Sequence, residues 1–245
     1  MIPFAYVTFV NDHPTYIDLM RTTIQSIKKF SRYPLILYYV TTQPTQHHPF
    51  ATDDDQLIVR VLHNISLPNI YYYKPYVIKD ALQQGLRGGY YIESDDVLTP
   101  LADDYLTQHI MGVQKIPLSP IHPDNVDIPA IDYVMAGCAE RTQFYVHGHV
   151  LFTAECLAFI TEWLDICLHS AGHSYRNADE TVLNMMYWKK KCTRHYLPII
   201  DPWYEKFYQP KNNHYRHTAV TFHGCKDPDV QRRLLADMLG PGRVI

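Results

Sequence analysis

The sequence predicts an α/β chain built on a mostly parallel sheet flanked by helices. Three observations carry that expectation. Strand-like and helix-like segments alternate through the first hundred residues. Polar or acidic clusters recur where the strands end, which is where ligands collect in open α/β sheets. With 245 residues, 47% apolar and 19% charged, the chain is an ordinary globular one, long enough for one large domain.

Phe4 to Val10 is apolar and β-favouring and ends in the turn cluster Asn11-Asp12-His13-Pro14. Thr15 to Phe30 follows as an amphipathic helix, with Tyr16, Met20, Ile24, Ile27 and Phe30 at three-four spacing and Lys28 and Lys29 in its last turn. Leu35 to Val40 is a second strand, Thr41 to Asp55 a proline- and aspartate-containing loop, and Leu57 to Leu62 a third strand. Tyr76 to Leu82, opened by Pro75 and ended near Gly85, reads as a helix.

The second half is less regular. Ile116 to Pro129 reads as a proline- and histidine-rich loop, and Phe144 to Phe152 as a strand broken by Gly148, where a ligand or another backbone comes close. Thr153 caps a helix from Ala154 to about His169, whose stripe of Leu157, Ile160, Leu164 and Leu168 is core. Asp179 to Lys191 is a further helix, Ala219 to Phe222 a short strand, and Asp229 to Leu239 the last helix before Gly240. Nothing in this order marks a boundary, so one domain over 1–245 is expected.

Composition narrows the partners. A net charge of -3 without a basic stripe argues against nucleic acid, and Lys189-Lys190-Lys191 reads as a solvated helix end. The five cysteines are odd in number, scattered and without C-x-x-C, which argues against a disulfide framework or structural zinc and fits a reducing compartment. No apolar run approaches the ~20 residues of a membrane span, and no signal peptide is read at the start. The expectation is therefore a cytoplasmic protein, with membership of a larger chain left open.

The most informative stretch is Gly89 to Pro100. Tyr90, Tyr91 and Ile92 read as a buried strand that runs into Glu93, Asp95 and Asp96 and then into a helix start with Thr99 as N-cap and Pro100 at N1. Carboxylates at a buried strand end are costly unless a cation or donors satisfy them. Glu93 and Asp95 share a face on an extended segment, and two oxygen ligands with room for phosphate oxygens suit Mg²⁺ or Mn²⁺. Taken alone, the same residues would serve as a solvated acidic turn.

Four pieces together go further: Asn11-Asp12 with Tyr16, Tyr91-Ile92-Glu93-Ser94-Asp95, Asp179-Glu180-Thr181-Val182-Leu183-Asn184, and Phe222-His223-Gly224-Cys225-Lys226. In this order they resemble GT-A-fold glycosyltransferases, and most nearly the family-eight-like group that uses nucleotide-diphospho-sugars. The likeness spans most of the chain in short, altered motifs. Glu93 stands where the family has the first Asp of its D-x-D, Glu180 where it has Gln, and the His-Gly-x-Lys spacing is one residue tighter.

The resemblance implies a single GT-A (Rossmann-like) domain, with 1–100 as the nucleotide-binding half and 101–245 as the sugar and acceptor half. It implies Mn²⁺ or Mg²⁺ held by Glu93, Asp95 or Asp96 with His223. It implies donor contacts at the end of strand one (Thr8, Val10, Asn11, Asp12, Tyr16) and at Lys74, Ser94 and Lys226. Asp179 and Glu180 would face the sugar, one of them as general base if the enzyme inverts, and His147, Gly148 and His149 would meet the acceptor. The expected donor is a UDP-sugar, with other nucleotide-sugars open, and the acceptor a carbohydrate or glycoconjugate. The alternatives are a metal-dependent nucleotidyltransferase or hydrolase, which would be expected to show a glycine-rich phosphate loop, and a catalytically silent sugar- or nucleotide-binding module. For single residues, His223 also reads as a structural histidine, His147 with His149 as a zinc pair, Asp103 as a helix-dipole partner, and Trp163 and Trp188 as core or groove wall.

Overall fold

The computed structural model describes residues 3–43, 47–50, 55–63, 65–103, 115–119, 121–122, 145–146, 148–169, 178–189, 199–200, 219–221 and 227–239. The chain is mixed α/β, with a five-stranded, mostly parallel sheet and flanking helices. It divides into two compact units, Phe4–Ile65 with Ile92–Gly112 and Pro198–Ile245, and Met1–Pro3 with Ser66–Tyr91 and Val113–Leu197.

The first unit opens with β1 (Ala5–Asn11), α1 (Pro14–Phe30), β2 (Leu35–Thr41) and β3 (Leu57–His63). β1 pairs β2 and β2 pairs β3, both in parallel. The alternation expected from sequence is present; each of the three strands ends one residue later than expected, and β1 also starts one residue later. Pro14 starts α1 with its fixed φ, and the last turn carries Lys28 and Lys29 against the helix dipole. The face that α1 buries holds Leu19, Met20, Ile24 and Ile27, and also the polar Thr22, Thr23 and Ser26. The unit also contains a short strand, β5 (Asp96–Leu98). Its C-terminal helix, α5 (Pro228–Leu239), buries Leu234 and Leu235 with Val97. Asp103 ties down the chain after β5: it accepts from Tyr6 Oη (3.1 Å), Ser31 Oγ (2.7 Å) and the Arg32 N–H (2.8 Å). Asp103, expected as a helix-dipole partner after Thr99, also closes the C-terminal end of α1 with its carboxylate.

The second unit contains α2 (Tyr73–Gln83), β4 (Gly88–Tyr91), β6 (Ile121–His122), β7 (Tyr145–Val146), β8 (Val150–Thr153), α3 (Leu157–His169) and α4 (Ala178–Lys189). α2 begins earlier than Pro75 suggested, because a 3-10 turn over Ile70–Tyr72, capped by the Asn69 side chain, feeds directly into it. It ends at Gly85, whose φ of 92° is the left-handed stop that glycine makes without strain. The strand expected over 144–152 is two strands with different partners. β7 pairs β6 and β8 pairs β4, both antiparallel, with Gly148 between them. Thr153 makes no side-chain cap. A 3-10 turn over Ala154–Cys156 intervenes, and α3 turns Phe159, Ile160, Trp163, Leu164 and Cys167 into the core. Leu157 and Leu168 are only half-buried. Trp163 and Trp188 are core residues.

Candidate functional site

The acidic stretch is a tight turn within the first unit. The Ile92 N–H donates to Val7 O at 3.1 Å, so the segment enters the turn alongside β1. The turn closes on itself twice: the Asp96 N–H donates to Glu93 O (3.3 Å), and the Glu93 N–H donates to Asp96 Oδ2 (2.8 Å). Asp96 therefore spends one carboxylate oxygen shaping the turn. Glu93 and Ser94 are half-buried, while Asp95 is 4% and Asp96 0% exposed. Thr99 Oγ1 accepts from the Leu101 N–H (3.3 Å), the N-cap geometry expected of it.

Helix α1 holds this turn from beneath. Thr23 Oγ1 lies 2.9 Å from Ser94 O and 2.6 Å from Asp96 O, the two carbonyls that flank Asp95. Ser26 Oγ accepts from the Leu98 N–H at 3.0 Å and donates to Thr23 O at 2.7 Å. Neither residue stood out in the sequence. The available signal was two small hydroxyls on the apolar face of an amphipathic helix, where an unmatched polar group is costly.

A second strand leads to the same turn. β9 (Ile199–Ile200) and β10 (Ala219–Thr221) pair in parallel. β10 also runs antiparallel to β5, with Thr221 opposite Asp96 and Val220 opposite Val97. The chain thus leaves for His223 and Lys226 from a residue paired with the acidic motif. His223, Lys226 and His147 themselves lie outside the described residues.

At the carboxyl end of β1, Thr8 and Val10 are buried, Asn11 and Tyr16 half-buried, and Asp12 exposed. Asn11 Oδ1 accepts from the His13 N–H (3.2 Å), and the His13 and Tyr16 rings meet edge to face. Asp12 also faces Tyr39 on the neighbouring strand. Burial raises the Tyr39 phenol above its ordinary pKa, the Asp12 carboxylate raises it further, and a hydrogen bond with Thr41 opposes both. Nothing in the sequence separates Tyr39 from its neighbours on the strand.

The remaining predicted residues form a cluster in the second unit. Lys74 Nζ lies 3.0 Å from Asp179 Oδ2, with the side chains 6% and 4% exposed. The same ammonium stands 5.4 Å from the centroid of the Tyr91 ring. Glu180 Oε1 accepts from the Gly148 N–H at 2.7 Å. The first turn of α4 is secured by Trp163 Nε1 donating to Asp179 O and Asn184 Nδ2 donating to Glu180 O, each at 2.9 Å. The close approach at Gly148 is made by Lys74: a Cβ there would overlap Nζ and stand 3.3 Å from Cε. His149 is buried, its ring 6.4 Å from that of Tyr90, and its carbonyl accepts from Ser119 Oγ at 2.6 Å. Cys167 borders the ion pair. Burial pushes its thiol pKa well up, Asp179 adds to the rise and Lys74 opposes it.

The turn offers hard oxygen donors at Glu93 and Asp95, which suit Mg²⁺ or Mn²⁺. Among the described residues no group of three or more His, Cys, Asp or Glu stands close enough to hold a metal ion. Also among the described residues, no helix is long and apolar enough to cross a membrane. No family model matches the chain, and no curated protein matches it.

Proposed function

We propose that the chain is a metal-dependent GT-A-type glycosyltransferase. It moves a sugar from a nucleotide-diphospho-sugar, a UDP-sugar first among them, to a hydroxyl of a carbohydrate or glycoconjugate acceptor. One observation supports this reading most. The strand that precedes His223 in sequence pairs with the strand of the acidic turn, Thr221 opposite Asp96, so the chain sets out toward the second motif from a residue paired with the first, 125 positions away.

Each residue then has a task. Asp95, with Glu93, holds Mn²⁺ or Mg²⁺, and Asp96 keeps the turn closed. The cation, when bound, supplies Lewis-acid charge for the departing diphosphate. His223 and Lys226 follow as further ligand and fixed positive charge on the strength of the resemblance. The end of β1, with Asn11 and Asp12, receives the base and ribose. Lys74 fixes Asp179, which we assign to the donor sugar. The Gly148 N–H orients Glu180, which we assign to the acceptor hydroxyl. A cytoplasmic setting belongs to the same proposal, on the strength of five scattered cysteines without a C-x-x-C.

Turnover tests the reading. The chain with Mn²⁺ should release UDP from one member of a UDP-sugar panel, faster with a carbohydrate acceptor, and EDTA should stop it. If UDP-, GDP-, CDP- and dTDP-sugars all stay intact, transferase activity is ruled out in favour of a binding module. Release of nucleoside monophosphate would point to a hydrolase.

A further inference from the structure

The C-terminal helix reaches the acidic turn through one residue. Gln231 on α5 is fully buried. Its Nε2 lies 3.2 Å from Thr23 Oγ1 and 3.3 Å from Asp96 O. The amide orientation follows from chemistry: the atom facing a carbonyl oxygen must be the nitrogen, since two acceptors would repel. Thr23 has a single hydroxyl proton. By accepting from Gln231 its oxygen turns that proton toward the carbonyls of the turn, where Asp96 O is nearest at 2.6 Å. Gln231 and Thr23 thus form one donor relay onto Asp96 O, the carbonyl of the residue after Asp95, while Ser94 O at 2.9 Å and Leu19 O at 3.3 Å stand farther from the same hydroxyl.

The helix core gives no reason for an amide at this position. Gln231 Oε1 is buried with no hydrogen-bond partner among the described residues, a cost that an apolar side chain would avoid. Its neighbours on α5, Leu234 and Leu235, fill the core with hydrocarbon alone. The amide earns its place only through its donor.

We infer that Gln231 is a positioning residue for the metal-binding turn. Acting through Thr23, it sets the backbone from which Asp95 presents its carboxylate. The inference rests on the proposed function, because it supposes that Asp95 binds a cation. Groups outside a metal's ligand set that orient its ligands typically change affinity by about 10–100-fold when removed.

The test measures Mn²⁺ binding to the full chain by calorimetry, without nucleotide. Gln231→Met keeps the length and loses the donor, and should raise the dissociation constant about tenfold. Thr23→Val should do the same and Thr23→Ser should stay near wild type, while the double variant Gln231→Met/Thr23→Val should be little worse than either single one, because both break one relay. Tyr6→Phe, which loses a hydrogen bond remote from the relay, should bind as wild type, so general destabilisation is controlled. If Gln231→Met does not fold, the contrast between Thr23→Val and Thr23→Ser decides. Wild-type binding by folded Gln231→Met, or equal binding by the two Thr23 variants, overturns the inference and leaves the metal site standing. No Mn²⁺ binding by the wild-type chain overturns the metal site, and the inference with it.

Discussion

Lys74 Nζ stands 3.0 Å from Asp179 Oδ2, and both side chains are almost entirely withdrawn from water. Removing one partner strands the other charge. Lys74→Met and Asp179→Asn should each lower stability, Lys74→Met by about 3–5 kcal/mol. Lys74→Met/Asp179→Leu should recover part of that loss, since a well-packed apolar pair avoids desolvation. Urea midpoints read the result. Lys74→Met as stable as wild type would contradict the pair's role.

Gly148 belongs to the same cluster by steric necessity. Gly148→Ala puts a methyl where Lys74 Nζ now lies and should cost about 1–3 kcal/mol. With Lys74→Ala the space opens, so the double-mutant cycle should show strong coupling. Additive effects would mean that Lys74 does not fill the space beside Gly148.

Much of this was legible in the sequence because it depends on local chemistry. The alternation of β1, α1, β2 and β3 followed from periodicity and turn residues. Asp179 and Glu180 fall in the first turn of α4, as acids at a helix start should. Partnerships across long sequence separations were not legible. Nothing near Gly148 announces a lysine 74 positions earlier, and Asp103 looks like any acid after a Thr-Pro helix start until Tyr6, Ser31 and Arg32 converge on it. Thr23 and Ser26 were hidden by a different effect. On an amphipathic helix a buried hydroxyl resembles a gap in the apolar stripe, and only its partners reveal its purpose.

Asp103 makes a prediction of its own. Its carboxylate serves three donors, so Asp103→Ala removes an acceptor from the buried Tyr6 phenol, the Ser31 hydroxyl and the Arg32 N–H. The expected cost is about 1–3 kcal/mol, and Tyr6→Phe should cost less. Thermal unfolding of both variants checks the order, and a larger loss in Tyr6→Phe would reverse it.

Cys167 should leave a signature in alkaline solution. Its thiol pKa is raised chiefly by burial, with Asp179 adding and Lys74 opposing. Below the ordinary thiol value of about 8.5 both the folded and unfolded chains hold the proton, and stability is unaffected. Above it the unfolded chain ionises while the folded one does not, so stability falls as pH rises, by up to about 1.4 kcal/mol per pH unit. Cys167→Ala should flatten the decline by that slope, and the native wild-type thiol should resist alkylation at pH 9. Parallel stability curves, or rapid alkylation of the native thiol, would contradict the burial account.

The central claim is that Asp95 binds a cation for a nucleoside diphosphate. Calorimetric titration of UDP, GDP, CDP and dTDP, each with Mn²⁺ and with EDTA, into the wild-type chain and folded Asp95→Asn tests it most directly. The prediction is that one nucleotide, UDP first among them, binds in Mn²⁺, and that both EDTA and Asp95→Asn abolish binding. Binding that survives EDTA and Asp95→Asn, or no binding of any of the four in Mn²⁺, would contradict it.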